Sequence, residues 1–158
     1  MKNTPRFFAF SIALICLASF ASCKKKSSLL EQEFVAVFTG QKWKLVKIES
    51  PHTLPLTGSQ IGYTEILEHV SQSDDDFDKV WRNDTLFHAY RLNRTHIPIV
   101  DSQNQTFTYF YDFGFTRRNF KIAGNLNDPV NATLIASAYL NDSINQPDTV
   151  TYYYTVNK

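Results

Sequence analysis

Gln105-Thr106-Phe107-Thr108-Tyr109-Phe110-Tyr111-Asp112-Phe113 is the stretch that decides the fold. Phe107, Tyr109, Tyr111 and Phe113 alternate with Thr106, Thr108, Phe110 and Asp112. Successive side chains of an extended chain point to opposite faces, so one face here is wholly aromatic and the other largely polar. Such a segment is a half-buried strand, and it needs neighbours of the same kind to cover its aromatic face.

The flanking sequence supplies them. Upstream, Lys79-Val80-Trp81, a turn at Arg82-Asn83-Asp84 and Thr85 to Arg91 predict a hairpin. Thr95 to Val100 reads as a short edge strand, because Pro98 lacks the N–H that a central ladder requires. Downstream, Arg118-Asn119-Phe120-Lys121-Ile122 alternates and ends at Gly124. Asn125 to Asn131 is a loop, and Ala132 to Leu140 and Thr149 to Val156 are the last two strands.

Nearer the start, Trp43 to Ile48 begins a strand with Trp43 and Leu45 on one face. Pro51, Pro55 and Gly58 mark a loop after it, and Ile61 to Val70 fits either a strand or a short helix. Ser71 to Asp78 is polar and acidic and reads as exposed. Leu30, Phe34 and Phe38, four residues apart, predict a short amphipathic helix ending near Gly40.

These segments make an all-β domain of about eight strands behind one short N-terminal helix, with no internal repeat and no second-domain boundary. The 13 Phe, 8 Tyr and 2 Trp suit strand faces and build a large core. A small antiparallel β-barrel is the economical architecture because closure removes exposed edges. A two-sheet sandwich is its rival.

The N-terminus is of another kind. Phe7 to Cys23 is apolar and uncharged, preceded by Lys2 and Arg6 and followed by Lys24-Lys25-Lys26. Positive, apolar and small-residue regions in that order are those of an export signal, and the run is shorter than the ~20 residues of a bilayer span. Ala21-Ser22-Cys23 resembles the lipobox of bacterial lipoproteins, with Phe20 where that family prefers Leu. The resemblance implies cleavage after residue 22 and a diacylglycerol and acyl (palmitate-type) anchor on Cys23. It divides the chain into a signal peptide over 1–22, a tether over 23–30 and a β domain over 31–158. It also implies a membrane partner and a place in the bacterial cell envelope, at the outer membrane. Cys16 would leave with the signal, so the mature domain would hold itself together without a disulfide.

After Cys23 the chain carries 14 basic and 15 acidic side chains, a net charge of −1. That is no electrostatic footprint for nucleic acid.

Gly40-Gln41-Lys42-Trp43-Lys44-Leu45, with the helix before it, is similar to the opening of the small lipocalin-like lipoproteins of Bacteroidetes. The resemblance implies a lipocalin-like barrel in which Gly40 eases entry to the first strand and Trp43 closes the base. The cysteines that brace many lipocalins are absent. Asp84-Thr85-Leu86, Asp142-Ser143-Ile144 and Asp148-Thr149-Val150 resemble the Asp-Ser/Thr-aliphatic motif of O-glycosylation in the same bacteria, which implies Thr85, Ser143 and Thr149 as acceptors.

Chemistry is sparse. Asp74, Asp76 and Asp78 are candidate Ca²⁺ ligands, but their run lacks the central glycine and final glutamate of an EF-hand, and a solvated loop is the plainer reading. His52, His69, His88 and His96 are scattered. No Gly-x-Ser-x-Gly elbow or phosphate-binding glycine loop occurs, and no cofactor is called for. Trp81, Tyr109, Tyr111 and Tyr153 are candidates for an aromatic ligand surface or for core. Arg117-Arg118 reads as a solvated turn, with anion binding as the other use. The leading expectation is a non-catalytic binding domain for a small apolar molecule, a glycan or a protein. The alternative is a structural or adaptor subunit with a solid core, and a hydrolase using a carboxylate pair stands third.

Overall fold

The computed structural model describes residues 35–96, 98–101, 103–112, 116–141 and 150–158. The signal segment, Cys23, the tether, Ser143 and Thr149 lie outside the described residues.

Residues 35–39 are helical. Eleven strands follow among the described residues, every pair antiparallel: β1 Lys42–Ser50, β2 Thr53–Thr57, β3 Glu65–Gln72, β4 Asp75–Arg82, β5 Thr85–Arg91, β6 Ile99–Asp101, β7 Thr106–Phe110, β8 Thr116–Ala123, β9 Thr133–Ser137, β10 Leu140–Asn141 and β11 Thr151–Val156. They form one sheet in the order β5-β4-β3-β1-β11-β9-β8-β7-β6, with β2 also on β1 and β10 also on β8. Local chemistry sets the hairpins. Asn83 and Asp84 have φ of +48° and +61°, the pair of left-handed residues that matches the twist of two adjoining strands. The Asn83 side chain further accepts the Thr64 N–H at 3.0 Å.

The expected barrel is not what forms. The sheet has two ends, β5 and β6, which do not pair with each other. It folds over so that its two arms face one another, which is the sandwich rather than the barrel. One isolated bridge, Leu92 with Tyr111, latches the arms just beyond β5 and β7. The reason lies at the terminal strand: β6 is three residues long and follows Pro98, so it offers too short a ladder to zip the seam.

Two other segments differ from expectation. Thr53–Thr57 is strand β2 rather than loop, and Pro55 is accommodated because β2 pairs on one side only. Ser71 to Asp78 forms a tight hairpin, with Ser73 at φ +59° and Glu68 to Gln72 paired with Lys79 to Asp75, and is exposed at Ser71 to Asp74 and at Asp76 as expected, but not at its end. Asp78 there is fully buried.

The core sits between the arms. Phe38 from the helix packs on Phe107, Phe120 and Tyr109, with ring centroids 4.9, 5.2 and 5.6 Å away. Phe107 and Phe120 stack at 4.8 Å. Trp43, Leu67, Ile122 and Leu134 are fully buried around them. The Trp43 indole N–H donates to the Phe38 carbonyl at 3.0 Å, tying the helix end to β1. Between the two, Gly40 donates to the Ala36 carbonyl at 2.9 Å, and a Cβ on it would stand only 3.0 Å from that oxygen.

Candidate functional site

Strand parity places a polar cluster inside the same interior. Along β8, Thr116, Arg118, Phe120 and Ile122 point inward. Along β4 the inward set includes Asp78, Val80 and, partly exposed, Arg82; on β3 it includes Glu65 and Leu67, and on β11 Tyr152 and Tyr154. Arg118 is 2 % exposed. Its Nε donates to the Ser137 carbonyl at 2.8 Å, its Nη1 to the Tyr139 hydroxyl at 3.2 Å and its Nη2 to the Tyr154 hydroxyl at 3.0 Å. Tyr154 in turn donates to Glu65 Oε1 at 2.8 Å, and Arg82 Nε donates to Glu65 Oε2 at 2.7 Å. The Arg82 guanidinium lies between the rings of Phe87 and Tyr63, 4.0 and 4.6 Å from their centroids.

A second buried group adjoins it. The Tyr111 hydroxyl donates to Asp78 Oδ2, and Asp78 Oδ1 lies 2.8 Å from His69 Nδ1. The first contact runs from Tyr111, just beyond β7, to β4 and joins the two arms; the second links the neighbouring strands β4 and β3. Tyr90 of β5 stacks on Tyr139 of the other arm with centroids 4.0 Å apart.

Burial sets the protonation of this cluster. It pushes the Tyr111, Tyr139 and Tyr154 phenols well above their ordinary range, so all three are neutral donors across the physiological range. Burial also works against the Arg118 charge, but the phenol oxygens around it, Tyr154 first, more than offset this and keep it a cation.

The candidate residues read from the sequence separate across the sheet. Trp43, Tyr109 and Tyr111 are interior and buried. Trp81 and Tyr153 are on the outer face: the Trp81 indole donates to Glu68 at 3.2 Å, and Tyr153 donates to Glu49 with Lys47 4.1 Å from its ring centroid. Thr85 is exposed at the start of β5. Asp74, Asp76 and Asp78 serve three purposes: the Asp74 carbonyl accepts from Arg94, the Asp76 carboxylate from Ser71, and Asp78 belongs to the interior. Among the described residues no three His, Cys, Asp or Glu side chains gather as metal ligands.

Glu65, Arg82, Arg118, Tyr139 and Tyr154 were not singled out together by sequence. The signal was parity: Arg118 shares its face with Phe120 and Ile122, as Asp78 does with Val80. The His69–Asp78 pair is visible only once the hairpin register opposes those two residues.

Three surface grooves lie among the described residues. One of about 730 Å³ lies where β1 diverges from β3, between Lys44 to Val46 and the 3₁₀ turn Gly58–Ile61. One of about 470 Å³ lies beside Val130 to Ala132 and the C-terminal residues, and one of about 230 Å³ between Asp76 and Arg94. None of the three is lined by Trp43, Tyr109 or Tyr111. The chain matches no family model and no curated protein.

Proposed function

We propose that the chain is a structural or adaptor module that works through its outer surface, held at the cell envelope by the lipidated Cys23 that the sequence implies. The observation that carries this reading is the free end of the open sheet. β5 pairs with β4 along its whole length, yet among the described residues no strand pairs with its other edge from Thr85 to Tyr90. Leu86 and Phe87 are 44 and 56 % exposed there. An unpaired edge carrying apolar side chains is a template for strand addition by another protein. The positions that a hollow binder would leave lining a cavity are instead in ring-to-ring contact, which supports an outward-facing role.

Photo-crosslinking in cells tests this. A photoreactive residue in place of Phe87 should give a discrete protein adduct, and one in place of Lys121, exposed on the outer face of β8, should not. Equal labelling from both positions, or none from Phe87, would remove β5 as the contact. Metabolic lipid labelling tests the tether separately: tagging that survives Cys23→Ala would sink the anchor.

A further inference from the structure

Tyr90 and Tyr139 stand on opposite arms and meet face to face across the seam, with ring centroids 4.0 Å apart and planes 25° from parallel. Both rings are held there by their neighbours. The β4 register sets Tyr90 opposite Asp78, on the inward face of β5, and the His88 ring stands 4.1 Å from it, centroid to centroid. Tyr139 accepts a hydrogen bond from Arg118 Nη1 at 3.2 Å, and the guanidinium carbon lies 4.6 Å from its centroid. Tyr111 touches each of the two edge-on, at 5.8 and 5.5 Å with planes 60° and 62° apart.

Edge-on contact keeps most ring carbons of one phenol away from those of the next. A stack this close instead brings the ortho carbons of two phenols to about van der Waals separation, ~3.5–4 Å. That is the approach from which two phenoxyl radicals couple. Each phenol gives up one electron and its hydroxyl proton, and the two ortho carbons, which carry much of the unpaired spin, form a C–C bond. Each of those carbons then passes its ring hydrogen to its own oxygen, which restores two phenols. Both rings are partly buried rather than sealed, so the two released protons pass to water.

We propose that Tyr90 and Tyr139 are an oxidative cross-linking site, where a one-electron, metal-centred oxidant converts the pair to dityrosine and fastens the two arms together. Two phenols and two equivalents of oxidant give one dityrosine, two protons and two equivalents of reduced oxidant. The link joins the arms at β5, one free end of the sheet, across the seam that β6 is too short to zip. It would supply a covalent brace to a domain whose described residues contain no cysteine. The proposal is independent of the adaptor reading, since it uses rings on the inner side and that reading uses the outer edge.

The test is photo-oxidation of the full chain in dilute solution with tris(bipyridyl)ruthenium(III), generated in place by light and persulfate. Dityrosine fluorescence should appear in the monomer fraction, and fragmentation mass spectrometry should place one link, with the loss of two hydrogens, between Tyr90 and Tyr139. Tyr90→Phe and Tyr139→Phe keep the ring but cannot form a phenoxyl, and each should abolish the monomer's signal. Tyr153→Phe on the outer face should leave it unchanged. The linked monomer should melt about 5–10 °C higher, as when a disulfide closes a long loop. Dityrosine confined to dimers, a monomer link between other tyrosines, or oxidation of the protein without dityrosine overturns the cross-linking site. A linked monomer that melts no higher overturns the fastening of the arms. The link is mapped on the unaltered protein, so that result stands even where a variant folds poorly.

Discussion

The interior has two parts built by the same strands. β8 sends Ile122 and Phe120 into an apolar cluster beneath the helix, and Arg118 into a polar one. β3 sends Leu67 to the first and Glu65 to the second. Parity decides which side chains enter, but their chemistry changes along each strand. The apolar part stabilises through area removed from water and through close ring packing, neither of which fixes a partner closely. The polar part is directional. Its charges are costly to bury, and a buried ion pair roughly breaks even against a hydrophobic replacement. What it contributes is geometry, because Tyr154–Glu65 and Tyr111–Asp78 can form only when the arms face each other in this register.

Alkali should break the polar part first and with the largest effect. Burial raises the phenols of Tyr109, Tyr111, Tyr139 and Tyr154 above their unfolded value near 10. A raised folded pKa means stability that is complete below pH ~10 and is lost as pH rises, since the unfolded phenol ionises while the folded one does not. By pH ~11 each such tyrosine has removed about 1.4 kcal/mol. Four together approach the whole stability of an ordinary domain, about 5–15 kcal/mol. Tyrosinate absorbance and loss of tertiary structure should therefore appear in one cooperative transition. Ionisation of all the tyrosines with the fold intact would show that these rings are not buried.

Trp43→Ala probes the apolar part. It empties the space of a fully buried indole and leaves the Phe38 carbonyl without its donor. The expected loss is about 3–5 kcal/mol in urea denaturation. A change below about 0.5 kcal/mol would put the ring outside the core.

The two parts were not equally legible. Aromatic alternation over 107 to 111 and the Trp43-x-Leu45 start point directly at the apolar cluster, because an aromatic residue on a strand has few other destinations. The polar part is hidden from the sequence for the opposite reason. An acidic run such as Asp74 to Asp78 is usually solvated, and nothing within it says that Asp78 lies opposite His69 and beneath Tyr111. The same holds for Arg117-Arg118, where one arginine is inside and its neighbour is not. Closure is not legible in the sequence because local pattern shows strands but not whether the last one is long enough to complete a seam. Three residues of β6 are not.

Glu65→Gln separates geometry from bulk in the polar part. The amide keeps the volume and one acceptor, but it turns an –NH₂ toward either the Tyr154 hydroxyl or Arg82 Nε, both of which donate to the native carboxylate. The expected cost is about 1–3 kcal/mol by urea denaturation, less than that of Trp43→Ala. A cost equal to the tryptophan's would make the polar part as essential to burial as the apolar one.

The finest contrast is between two adjacent tyrosines. Tyr154→Phe leaves a guanidinium hydrogen and a carboxylate oxygen facing each other's vacancy in the interior, and should cost about 1–3 kcal/mol. Tyr153→Phe removes a hydrogen bond of similar form to Glu49, but water replaces the lost partner on the outer face. Its denaturation midpoint should not move beyond error. Residue type and chain position are matched and both hydroxyls donate to a glutamate; the face differs, and with it the Arg118 hydrogen bond that only the inner hydroxyl accepts. Equal effects at 153 and 154 would mean that the inner hydroxyl is hydrated too, and the distinction between a directional interior and a solvated face would fail at the point where it is drawn most narrowly.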